Sequence, residues 1–124
     1  VNLGRLSSAA LMLSGLGGVL TPTKVAAALE LPATTARGVA ETRAGLGGTY
    51  TALGAWALVS RQRAAHTAVG VTWLGAAAMR LASLRVDHPR TDIAFWLYLA
   101  AELGFGTAAL ASALGGATLT VSLD

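Results

Sequence analysis

The chain has 124 residues, 54 % of them hydrophobic and 12 % charged, with a net charge of +3 and a mean hydropathy of +0.60. Charges at about half the roughly 25 % usual in soluble domains could not cover a small globule, and disordered chains are polar, so both classes are excluded. No cysteine is present, which excludes disulfides and thiolate chemistry. The pI near 10.2 comes without a basic stripe, which argues against a nucleic-acid partner.

The charges leave long gaps, and four predicted helices fit the roughly 20 apolar residues that a membrane crossing needs. They are Leu3–Leu20, Glu41–Ser60, Ala65–Val86 and Ile93–Leu114. Pro22, Pro32 and Pro89 all fall between them, where a missing N–H costs a helix nothing. No period-2 alternation supports strands, and an open sheet could not satisfy its edges in lipid. The expected fold is an all-α, integral membrane four-helix bundle, a single domain over residues 1–124, with short loops and one longer first loop.

Within the first span, Arg5, the apolar stretch and Ala26-Ala27-Ala28 also resemble a signal peptide, although Pro22 with Lys24 reads more naturally as a loop. The connection that follows admits two readings. Thr23–Leu31 is either an interfacial helix, with Val25, Leu29 and Leu31 near one face, or an ordinary loop. The basic turn Arg61-Gln62-Arg63 after the second span suggests the cytoplasm, with both termini inside. Lys24, Arg37, Arg43, Arg85 and Arg90 fall on the other side and leave the orientation open.

Helices in lipid associate by close packing, which needs small residues. The chain has fifteen glycines, and with neighbours such as Ala76, Ala77, Ala78 and Ala108 they give each span small residues at three- or four-residue spacings. Ser14–Val19 and Ala44–Thr49 share a Gly-Leu-Gly-Gly core, but neither follows a strand or precedes a lysine as a phosphate loop requires. No cofactor is implied. Trp73 lies mid-span and reads as packing, whereas Trp96 lies near a span end and suits an interfacial belt.

Two charges sit inside spans. Arg80 precedes Asp87 by seven residues and Glu102 follows Asp92 by ten. At 1.5 Å per residue these lie about 10 Å and 15 Å below one surface. The short link makes the third and fourth helices antiparallel neighbours, so Arg80 and Glu102 are the expected pair. Glu41, Arg43 and Tyr50 on the second helix, and Asp87 in the loop, join the same half of the membrane. The opposite side holds Arg5, Arg61, Arg63, His66 and Asp124. His66 and His88 therefore belong to opposite sides, and no metal constellation appears.

This cluster admits three roles. It fixes helix register, binds a lipid headgroup or hydrophobic ligand, or performs catalysis or proton transfer with Glu102 as acid/base and Arg80 as anion clamp.

Glu41-Thr42-Arg43-Ala44-Gly45-Leu46-Gly47-Gly48, Arg80 with Ser83 and Asp87, and Glu102 together resemble domain-of-unknown-function family 4345. That family comprises DoxX-like bacterial four-helix membrane proteins. Leu46 departs from the aromatic expected there. The resemblance implies the fold and a plasma-membrane location and supplies no activity. Eight arginines among nine basic residues, with the Ala/Gly richness, also read as codon usage of a GC-rich bacterium.

The expected function is a small, non-enzymatic accessory or lipid-binding membrane protein. Its expected partners are membrane lipid, a hydrophobic ligand, and a homo-oligomer or larger membrane complex. The alternatives are a membrane-embedded enzyme on a lipid-like substrate and a proton-linked carrier.

Overall fold

The structure is a computed structural model that describes residues 2–115; Asp124 lies outside them. These residues form α1 (Leu3–Leu20), α2 (Pro22–Ala28), α3 (Ala36–Thr42), a π-helical segment (Arg43–Gly48), α4 (Thr49–Val59), α5 (Arg63–Val86) and α6 (Ile93–Leu114). No β-sheet occurs among the described residues.

Helices α1, α5 and α6 are long and apolar enough to cross a membrane. Their 18, 24 and 22 residues span about 27, 36 and 33 Å at 1.5 Å per residue. Their most apolar stretches have mean hydropathies of 1.3, 1.2 and 1.5. Burial supports the same environment. Large side chains such as Leu20, Val59 and Ile93 are 73 %, 83 % and 76 % exposed, while Ala57, Ala65, Ala109, Ser7 and Ser8 are fully buried. Water would drive the large apolar groups inward; hydrocarbon does not, and small residues inside let backbones approach. The protein is an integral membrane protein.

The chain divides into two compact units, one of Val1–Ser7 with Arg61–Asp124, the other of Ser8–Ser60. In the second unit, α1 packs on the segment from α3 to α4 through glycine. A Cβ on Gly54 would lie 2.5 Å from the Met12 backbone nitrogen and 2.7 Å from the Ser8 carbonyl oxygen. A Cβ on Gly15 would lie 2.3 Å from the Thr51 nitrogen, and Gly18 and Gly47 meet backbone to backbone. These contacts admit no side chain, so the close approach requires glycine at these positions.

The connection after α1 contains a short helix, Pro22–Ala28, in place of the expected Thr23–Leu31. It starts at Pro22, whose missing N–H is an orphan at the first helical position anyway. It stops at Ala28, and Glu30 turns the chain with φ of 57°. Leu31 is therefore outside the helix and 61 % exposed, not on a shared face with Val25.

The second predicted helix, Glu41–Ser60, differs in two ways. The helical backbone begins at Ala36, because the Thr35 hydroxyl accepts from the Gly38 N–H at 3.0 Å and caps it. It is also not uniformly α-helical. Arg43–Gly48 makes the wider π turn, where three of six residues are glycine and Gly47 presses against Gly18 and Val19. The Thr49 hydroxyl donates to the Ala44 carbonyl at 3.3 Å within this turn.

In the first unit, α5 and α6 pack together along their lengths. Gly70 faces Leu110, Gly106 faces Leu74, and Gly4 at the start of α1 faces Ser112. Trp73 stacks at 5.5 Å on Phe105 and donates its indole N–H to the Ser7 carbonyl at 3.3 Å. These contacts give this tryptophan a packing role.

Candidate functional site

The site begins with a turn. Asp87 ends α5, with its N–H donating to the Ser83 carbonyl at 2.8 Å, and His88 reverses the chain with φ of 50°. Asp92 then starts α6, its carboxylate accepting from the Phe95 N–H at 3.1 Å. A carboxylate suits that position, since it satisfies an orphan donor and faces the positive end of the helix dipole. The short link holds α5 and α6 antiparallel. Arg80 therefore sits six residues inside α5 and Glu102 nine residues inside α6, about 9 Å and 14 Å from their ends.

The two side chains meet. Arg80 donates from Nε to both Glu102 oxygens, at 3.2 and 3.0 Å, and from Nη2 to Oε1 at 2.7 Å. This side-on fork matches the planar guanidinium to the planar carboxylate, which a lysine could not do. The Glu102 side chain is 8 % exposed and that of Arg80 24 %. An isolated charge at mid-membrane costs about 2.5–3.5 kcal/mol on insertion scales. Pairing offsets that cost for both residues and ties α5 to α6 at one register.

Aromatic rings complete the surroundings. The guanidinium carbon lies 5.3 Å from the centre of Phe95 and 5.5 Å from that of Tyr98, within cation–π range. Phe95, Tyr98 and Glu102 follow one another at three and four residues along α6, so one helix face presents all three. Trp96 stacks edge-on against Phe95 at 5.3 Å. The sequence reading missed Phe95 and gave Tyr98 no role. The available signal was their spacing from Glu102.

The remaining predicted site residues have other local roles. Glu41 accepts from Arg37 at 2.7 Å in an exposed i,i+4 pair, worth little on a solvated surface. Arg43 donates from Nη1 to the Val19 carbonyl in the last turn of α1, where a helix leaves carbonyls to be satisfied from outside. Its cation also suits the negative end of that helix. Tyr50 is half-buried at the start of α4, in the same unit as Glu41 and Arg43. Asp87 is exposed at the end of α5, in the unit that holds Arg80 and Glu102.

The first unit also carries an open groove of about 330 Å³. Leu3 and Leu6 of α1 face Ala100, Gly104, Phe105 and Ala108 of α6 across it. Ser7, its one hydroxyl, donates to the Leu3 carbonyl at 2.9 Å and so offers a ligand no free proton. The groove suits hydrocarbon.

The pair sets the local chemistry. Both Glu102 oxygens accept from Arg80, which gives the carboxylate's charge a partner and fixes its orientation. No group of three His, Asp or Glu residues among the described residues could hold a metal ion. What the site does as built is neutralise two buried charges and join two spans. The protein is a small membrane protein with a buried intramembrane Arg–Glu pair. No family model, no curated protein and no solved structure matches the chain.

Proposed function

We propose that the chain is a non-enzymatic membrane module, in which Arg80–Glu102 locks two spans and the apolar groove receives a lipid acyl chain. The observation that carries this reading is the Arg80 fork on both Glu102 oxygens in a nearly inaccessible position.

In this proposal Ala36–Val59 is a fourth crossing. Its right-handed helical backbone runs through the π segment without a break, and 24 residues reach about 36 Å at the α-helical rise. The fold is then a four-span bundle. Kinship with family 4345 and its DoxX-like relatives belongs to the same proposal, as does a bacterial plasma membrane. Its support is the Glu41-to-Gly48 motif together with Arg80 and Glu102 at matching depths. The module serves as an accessory to a larger membrane complex or to a second copy.

Native mass spectrometry of protein extracted with its own lipids tests this, with Glu102→Gln alongside. The expected result is the same lipid and protein complement in both samples, with lower thermal stability in the variant. A substrate–product pair retained by the wild type, with only substrate in Glu102→Gln, would overturn the non-enzymatic reading.

A further inference from the structure

We infer that Phe95, Tyr98 and Glu102 form a binding site for an organic cation, of which Arg80 is the tethered occupant. The inference rests on the non-catalytic reading of the pair and names the class of ligand the same place would take.

The site belongs to one helix. All three groups lie on one face of α6, and α5 contributes only the cation. Removing the guanidinium leaves the receiving surface in place. That surface has the chemistry of a cation cage: a carboxylate supplies charge and two acceptor atoms, and two ring faces supply negative quadrupole potential. Glu102 is buried, so its field is weakly screened. An anion would find the opposite. It would meet the guanidinium only on the side turned away from Glu102, against a carboxylate and two ring faces.

The ligand class follows from shape and setting. The occupant is a planar guanidinium on an alkyl stem, bonded through two nitrogens. A free ligand must also partition into the bilayer to reach it. An alkylguanidinium meets both requirements, and a small alkylammonium meets the second and part of the first. The place Arg80 occupies is reachable, since its side chain is 24 % exposed against 8 % for Glu102. In the native chain the tether gives Arg80 a high effective concentration, so a free cation binds well only after Arg80 leaves.

The test uses the full chain in bicelles and two probes, propylguanidinium and its neutral near-isostere propylurea. Three forms are melted with each: wild type, Arg80→Gly, and Arg80→Gly with Glu102→Gln. Arg80→Gly is expected to show a saturable rise in melting temperature with propylguanidinium, about 4 °C or more. Propylurea is expected to give none, as is either probe on the double variant. Wild type should respond only at much higher concentration.

An equal rise with propylurea would mean a filled void and overturn the cation site. So would an equal rise in the double variant, or no rise in an Arg80→Gly protein that melts cooperatively. If Arg80→Gly cannot be extracted folded, extraction is repeated with each probe present. Recovery with propylguanidinium alone supports the site; recovery with both or neither overturns it. A destabilised Arg80→Gly that propylguanidinium fails to rescue would leave the lock intact and remove the cage. An Arg80→Gly protein as stable as wild type would remove the lock.

Discussion

Replacing Arg80 by methionine should cost more stability than replacing Arg80 and Glu102 together. Arg80→Met leaves a carboxylate 8 % exposed with its three donor contacts gone. Breaking one side of a buried ion pair costs about 3–5 kcal/mol, because the remaining charge stays desolvated. Glu102→Leu strands the guanidinium in the same way, softened by its greater exposure and by Phe95 and Tyr98, so about 2–4 kcal/mol is expected. The double variant removes both charges and keeps the volume, and such replacements are often neutral within about 1–2 kcal/mol. The coupling in the cycle should therefore exceed about 2 kcal/mol. That number separates two mechanisms, since ordinary interhelical hydrogen bonds in membranes average about 0.6 kcal/mol and reach about 1.7. Reversible unfolding in bicelles, titrated with denaturing detergent and followed by circular dichroism, gives all four stabilities. A coupling below about 1 kcal/mol would refute the lock.

The glycines give a contrasting pair of outcomes. Gly54→Ala sets a Cβ against backbone atoms of α1 that cannot turn aside, so a loss of about 1–3 kcal/mol is expected in the same titration. Gly104→Ala meets nothing within 4 Å and should change stability by less than about 0.5 kcal/mol; equal losses at both positions would show that helix propensity, not approach, governs them. Thr35→Ala removes the cap of α3 and should cost about 1 kcal/mol. Faster amide exchange at Gly38, confined to the first turn, is the local check.

The paired charges were legible because charge is rare in this sequence and the link between the last two spans is short. Few residues compete for the partner, and helical rise alone sets the depth. Phe95 and Tyr98 were not legible by the same logic, because an aromatic facing lipid and an aromatic covering a guanidinium look alike in hydropathy. The start of the second helix at Ala36 was missed because hydropathy marks where lipid begins. Arg37 and Glu41 carry the helix past that point on its polar side. The close-packing role of Gly15, Gly47 and Gly54 followed from environment, since lipid leaves helices no other strong means to associate. Which other glycines stand open, as Gly45, Gly75 and Gly104 do, depends on partner helices that local sequence does not specify.

The π turn at Arg43–Gly48 puts a phase step into the second helix. Each such turn takes up roughly one residue more than an α turn, so the azimuth of every side chain in α4 lags the one projected from α3 by about one position. A single helical wheel drawn through Ala36–Val59 therefore superimposes faces that are not aligned. Wheels drawn separately on either side of the step place Gly54 and Ala57 inward, as their burial requires. A one-residue deletion that turned the step into regular α-helix would remove the extra residue and leave α4 at its present azimuth relative to α3. This makes the segment a joint with slack in one direction: losing one residue leaves the faces of α4 where they are, while adding one without a further wide turn rotates α4 by about 100°.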